Sequence, residues 1–394
     1  MCEAVVETLN RFQQNEVVSL EIMRTMIALA STSQEACTRL GEVGACKAVL
    51  DAIRVDDDIS IIFEIALVAI EVLLSVEANM PRMLQASICD TLVTSLQKHA
   101  DVDNVAINAC RVVQLFSTNT IIRSKLCSAG ICEIMRRLFS IHIGTPCVMQ
   151  ACCAAVATLA ADHIENKAQL TAAGVCEFVI MTIQKYSVGE PKKLMGSTLP
   201  TGSDLVVWQA SWALRMLSVG LEENRSRLQN AHVCEALQAA LQRHASCPDP
   251  MIQVFRTIIV LASDAKQSLV AHMGVTGICK AVVRVMRKNQ SDAAVCKLGC
   301  QVIVRLAAGQ SNLPILLAAK ASEEVSSVIM VHASMDTQVT EWGCKALHAL
   351  CIDDYANNAK ARTGGEVEAV VWAIQRQGNV LEVAEWSTKV FVAL

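Results

Sequence analysis

Seven cysteines stand at one phase of an internal repeat. Cys2, Cys46, Cys89, Cys132, Cys176, Cys234 and Cys279 follow one another at steps of 44, 43, 43, 44, 58 and 45 residues. The wording around them recurs as Gly44-Ala-Cys46-Lys, Gly130-Ile-Cys132-Glu, Gly174-Val-Cys176-Glu and Gly277-Ile-Cys279-Lys, each followed by an apolar run. A self-similar period in the low forties means a stack of like helical units, each burying its apolar face against the next. Such a stack has no ceiling on core size, so all 394 residues are expected to form one continuous domain, 1–394.

Composition fits an all-α chain. Apolar residues make up 53% of the sequence and aromatics only 4%, so the core has to be built from Ala, Val, Leu, Ile, Met and Cys. The 17 glycines and 7 prolines are few for this length and fall mainly at repeat boundaries, which suits helices joined by short turns. One period reads as three helices. Between 119 and 161 the spacing predicts a short helix from Asn119 to Ala129, a break at Gly130, a second helix from Ile131 to His142, and a longer third from Pro146 to Ala160. Pro146 suits a first helical turn, where its missing N–H costs nothing. The first-helix wording returns in Glu165-Asn-Lys167 and Leu221-Glu-Glu-Asn-Arg225, and more loosely in Tyr355 to Lys360.

The net charge of −4 excludes a general binder of phosphate backbones, so no nucleic-acid partner is expected. No uncharged apolar run reaches the roughly 18 to 20 residues of a membrane helix, and Met1-Cys-Glu-Ala does not begin like a signal peptide. A soluble, cytoplasmic protein with reduced, buried thiols at its eighteen cysteines is the expectation. No phosphate loop, nucleophile elbow or His-Glu-x-x-His helix occurs, so no enzymatic activity is expected. Cys147, Cys152 and Cys153, or Cys296 and Cys300 with His272, come nearest to a metal set, but neither has four ligands at zinc spacing. No metal or cofactor is expected. His99, His142, His244 and His332 near second-helix ends suit the helix dipole.

With its acidic-Asn-basic first helix, glycine turn, Gly-x-Cys opening of the second helix and third-helix wording such as Trp212-Ala-Leu-Arg-Met-Leu217, the chain resembles the armadillo-repeat family. The resemblance covers a partial repeat at about 1–32 and about eight repeats after it, and it implies a right-handed α-solenoid of three-helix repeats. The repeating glycine favours it over a HEAT solenoid with two helices per unit. It further implies a non-catalytic interaction scaffold whose third helices line a groove for an extended or helical protein segment.

Aligning third helices on their closing apolar residue, Leu29 to Leu394, places Arg24, Arg111, Trp212, Arg256, Gln301, Lys345 and Lys389 five positions earlier. Asn108, Trp342 and Trp386 stand eight positions earlier, one turn away on the same face. That cation column suits an acidic partner segment; alternatively, its members lie in solvent or pair with carboxylates such as Glu21. Nuclear import carriers of the superfamily carry Asn one position before the closing residue. That column here includes Thr158, Met216, Val260 and Arg305 and no Asn, so a non-importin type is expected. Arg305 adds a cation to the groove.

The long step from Cys176 to Cys234 marks an insertion at 188–203 between second and third helices, where Lys192, Lys193, Ser197 and Thr198 offer a docking or modification element. Neither end of the sequence carries a polar cap, which raises self-association through the terminal repeats. Two alternatives follow: a structural subunit stacking end to end or along a ciliary or cytoskeletal filament, and a regulatory module of a larger multidomain protein.

Overall fold

The computed structural model describes residues 1–188, 202–263, 267–351 and 365–393. It is 82% helical with no strand among the described residues. The fold is an all-α solenoid of three-helix repeats. The chain divides into two compact units, Met1–Val179 and Ile180–Leu394, each described by itself.

The first unit opens with a second and third helix, Cys2–Arg11 and Glu16–Thr32. Full repeats follow as Gln34–Glu42, Ala45–Val55 and Ser60–Leu73; Asn79–Gln85, Ile88–His99 and Asp103–Phe116; and Thr120–Ser128, Ile131–His142 and Pro146–Ala160. Ile164–Ala172 and Val175–Tyr186 begin the next. In the second unit the third helices are Gly202–Ser218, Pro248–Ser263, Ala293–Ala307, Thr337–Cys351 and Leu381–Ala393. Its first and second helices are Glu222–Asn230 with Val233–Arg243, Gln267–Val275 with Ile278–Lys288, and Leu313–Ala318 with Ala321–His332. Glu366–Gln377 is the last second helix. The expected helix at Tyr355–Lys360 lies outside the described residues. So do Lys192, Lys193, Ser197 and Thr198. Gly202 and Ser203, assigned to the insertion from sequence, start the third helix instead.

Within each unit, successive third helices pack most extensively on one another. Small side chains permit it: in Pro146–Ala160 the residues Cys152, Cys153, Ala154, Ala155, Ala157 and Ala160 are all buried. The turn before each second helix is left-handed. Gly44, Ser87, Gly130, Gly174, His232, Gly277, Lys320 and Gly365 all have φ between 61° and 100°. A side chain in that conformation costs roughly 1–2 kcal/mol, which is why glycine holds most of these positions.

Two sets of polar ties join several of the repeats to the one before. In the first, an Asn in the first helix, or immediately before it, reaches back to buried carbonyls. Asn79 Nδ2 donates to Leu73 O at 2.9 Å and Cys37 O at 3.3 Å, Asn166 Nδ2 to Leu159 O at 3.2 Å and Arg123 O at 3.4 Å, and Asn312 Nδ2 to Val270 O at 2.7 Å and Leu306 O at 3.2 Å. This is the physical content of the recurring Asn in the first-helix wording.

In the second set, a residue ten positions after the cysteine phase meets a carbonyl at the end of the preceding second helix. His99 Nε2 donates to Asp57 O at 2.8 Å, His142 Nε2 to Ala100 O at 2.6 Å, and His332 Nε2 to Gln290 O at 2.9 Å. Asn289 does the same to Ala245 O at 2.7 Å. These histidines therefore serve as inter-repeat ties. A role resting on their own helix dipole does not account for partners some 42 residues back.

All eighteen cysteines are free, and of the seven at the repeat phase all but Cys2 are buried. Cys2 is only half-buried, contrary to expectation, because in other repeats the first helix helps to cover this position. Cys132 Sγ lies 3.7 Å from Cys127 Sγ, and Cys176 Sγ lies 3.4 Å from Thr171 Oγ1, both partners being first-helix residues. Burial pushes the Cys46 and Cys89 thiols up to about 11 and those of Cys234 and Cys279 up to about 12. Cys147 is exposed. In native protein at pH 7.5, Cys147 should therefore be modified by an aromatic disulfide reagent at the rate of a free thiol, with Cys46, Cys89, Cys234 and Cys279 at least 100-fold slower. Mass mapping of the labelled peptides reads this directly, and early labelling of Cys46 or Cys279 would contradict it.

Candidate protein-interaction surface

Third-helix side chains that do not face the core make up the candidate surface. In the first unit, Arg24 is exposed and its Nη1 donates to Glu21 Oε1 at 2.6 Å. Asn108 is half-buried and Arg111 exposed, one turn apart on Asp103–Phe116.

In the second unit, Trp208 and Trp212 share one helix with ring centroids 6.1 Å apart. Thr257 Oγ1 donates to Ser211 O at 2.8 Å, which fixes the register of the next third helix, where Arg256 precedes Thr257 as Trp212 follows Ser211. Arg256 is exposed and Gln253, one turn before it, is 7% exposed. Gln301 is half-buried and Arg305 exposed on Ala293–Ala307.

The last two third helices interlock. Lys345 Nζ lies 4.4 Å from the Trp342 ring and 5.4 Å from the Trp386 ring, and Lys389 Nζ lies 4.0 Å above Trp386. His348 meets Trp386 edge-on at 5.4 Å. Each lysine is also ion-paired one turn back, Lys345 to Glu341 at 2.5 Å and Lys389 to Glu385 at 2.6 Å. Lys389 holds the Glu385 carboxyl below its usual range, while burial, then Lys389, pulls His348 down. At an exposed site such as Lys389 a cation–π contact is worth about 0.5–1 kcal/mol and an ion pair about 0–1 kcal/mol, so stacking and pairing together order this patch.

The structure thus brings Trp342, Lys345, Trp386 and Lys389 into one cluster, while Arg24, Lys345 and Lys389 already hold carboxylates. Sequence reasoning missed Arg215. It sits three residues after Trp212, half-buried, with Nε buried and unpartnered. Burial lowers its pKa and the charge of Arg256 lowers it further.

The metal candidates do not assemble. Cys147 is exposed, whereas Cys152 and Cys153 are buried with Cys152 Sγ 3.7 Å from Cys110 Sγ. His272 bonds Glu235 at 3.2 Å. Among the described residues no three His, Cys, Asp or Glu side chains converge as a metal site, and no single helix is long and apolar enough to cross a membrane.

No protein-family model matches this sequence, and no curated protein matches it. Solved structures do. An engineered protein superposes over 100% of this chain and 98% of its own with a TM-score of 0.62 at 15% identity. A chain from the structure describing a phosphorylation switch in the interaction between cadherin and beta-catenin covers 99% of this chain and 68% of its own, with a TM-score of 0.72 at 12% identity. A designed armadillo repeat protein in complex with the peptide (KR)4 covers 66% of this chain and 99% of its own, with a TM-score of 0.54 at 19% identity. With helix triplets, left-handed turns and these superpositions in agreement, the fold of the chain is that of the armadillo repeat.

Proposed function

We propose that the protein is a non-catalytic interaction scaffold, of non-importin type, whose third-helix face receives an extended or helical segment of a partner protein rich in acidic side chains. The observation that carries this is the Trp342–Lys345–Trp386–Lys389 cluster, where half-exposed tryptophans are held in place before any partner arrives. Rigid aromatic anchors of this kind dominate interface energetics because little side-chain freedom is lost on binding. The exposed Arg111, Arg256 and Arg305 favour acidic partners over basic ones. The reading needs no metal or cofactor and takes the cytoplasm as the place of work.

The test is affinity for a partner captured by cross-linking and then purified. Trp342→Ala with Trp386→Ala, and separately Arg111→Glu with Arg256→Glu, should each weaken binding at least tenfold with helicity intact. The arginine reversal should matter less as salt rises. Trp372→Ala, on the second helix Glu366–Gln377, should leave affinity unchanged. Affinity within twofold of wild type in both groove pairs would defeat the proposal.

A second reading, assembly through a terminal repeat along a filament, is favoured by the final helix, where Leu381 is 75% and Val392 83% exposed. Light scattering of the purified chain separates the two: strictly monomeric behaviour at high concentration counts against assembly.

A further inference from the structure

Among the described residues Arg215 and Arg256 share with Arg111 and Arg305 the lack of a carboxylate partner, but they stand on neighbouring third helices where the charge of one acts on the other. Arg24, Lys345 and Lys389 each bond a glutamate one turn away on their own helix. Among the described residues neither Arg215 nor Arg256 has a carboxylate within ion-pairing distance, and Arg215 Nε is buried with no hydrogen-bond partner. The Thr257 Oγ1 to Ser211 O bond, at 2.8 Å, locks the two helices so that Arg256 lies level with Trp212 and one turn from the level of Arg215. The two arginines thus stand on neighbouring helices close enough for the charge of Arg256 to act on Arg215, and neither has a counter-charge among the described residues. Such an arrangement costs the free protein stability through like-charge repulsion and partial desolvation.

The groups beside the pair lack partners of the complementary kind. Gln209 and Gln253 stand one turn before Trp212 and Arg256, and the Oε1 of each is buried without a donor. The Trp208 and Trp212 rings, on the helix that carries Arg215, provide an apolar wall.

We propose that Arg215 and Arg256 form a clamp for the phosphoryl group of a phosphorylated serine or threonine on an extended partner segment. This rests on the reading that the third-helix face takes such a segment. The charge balance selects the ligand. A phosphoryl group carries about −1.5 to −2 at neutral pH and three acceptor oxygens, enough for two guanidinium forks, whereas one carboxylate leaves a full positive charge uncompensated.

The test uses fluorescently labelled heptapeptides of alanine with phosphoserine, aspartate or serine at the centre, titrated by anisotropy. The phosphoserine peptide should bind at least tenfold tighter than either of the others. Arg215→Gln and Arg256→Gln should each remove at least tenfold of that affinity, while Arg284→Gln, on the second helix Ile278–Lys288, should stay within twofold. A second measurement needs no ligand: Arg215→Met should melt no lower than wild type, because it removes an unpaired, partly desolvated charge. Equal affinity for the serine and phosphoserine peptides, binding of none of them, or unchanged affinity in either arginine variant overturns the clamp. Aspartate binding as tightly as phosphoserine overturns the phosphoryl assignment, and a lower melting temperature for Arg215→Met makes the residue structural. The scaffold reading is judged separately, on the captured partner and the Trp342 and Trp386 variants.

Discussion

Gly41→Ala is expected to destabilise the protein by about 2–4 kcal/mol, although alanine is the better helix former. Gly41 lies buried in the first helix Gln34–Glu42, and a methyl there would overlap Oδ1 and Cγ of Asn79. Alanine for glycine in a helix gains about 1 kcal/mol. Displacing Asn79 breaks the bonds of its Nδ2 to the Leu73 and Cys37 carbonyls, at 2.9 and 3.3 Å, and leaves the buried amide without those acceptors. Each buried orphan costs about 1–3 kcal/mol, so the loss exceeds the gain. Asn79→Ala should cost a similar amount, and the two changes together should cost clearly less than their sum, because the second no longer disturbs a bond the first has broken. Urea midpoints at constant slope measure the cycle. Strict additivity would show that the two residues do not act as one contact. Gly274 and Asn312 repeat the pair in the second unit.

His244→Ala should be the most damaging change among the inter-repeat ties, at about 3–5 kcal/mol. His244 is 3% exposed, and it meets Asp204 Oδ1 through Nδ1 at 2.5 Å and Tyr186 O through Nε2 at 3.1 Å. The other histidine ties to a carbonyl lack a buried carboxylate. The Asp103 that faces His142 has a side chain 57% exposed, whereas that of Asp204 is only 6% exposed. Removing His244 takes from the buried Asp204 carboxyl a donor that solvent does not replace, which is costlier than losing one hydrogen bond to a carbonyl. His332→Ala, which gives up only the bond to Gln290 O, sets the comparison at about 1–3 kcal/mol. If the two variants unfold at the same urea concentration, the carboxylate is not what makes His244 special.

The cysteine phase and the glycine before it made the repeat legible, because both follow from local constraints: a small residue between packed helices and a left-handed turn. Ser87, His232 and Lys320 occupy that turn without being glycine, and only the register marks them. The groove was half legible. Counting back from the closing residue found Trp342, Lys345, Trp386 and Lys389, yet the same spacing holds Glu341 and Glu385, whose four-residue step to each lysine is itself a sign of pairing. Arg215 escaped because a column records one offset per helix, and the burial of this arginine depends on the neighbouring helix that carries Arg256. The histidines were noticed for where they stand on their own helices. Their acceptors lie one repeat away, where no single-helix argument reaches.

The longer polar ties reach back 42 to 44 residues, or 58 where the insertion intervenes, so the repeats that carry them are fastened to their predecessors over one repeat length of chain. Under tension such fastenings fail in series. Stretched from its ends, the protein would pay out slack in increments of one repeat, roughly 140–155 Å of contour for 43 residues. It would then behave as a ratcheted tether rather than as a single latch.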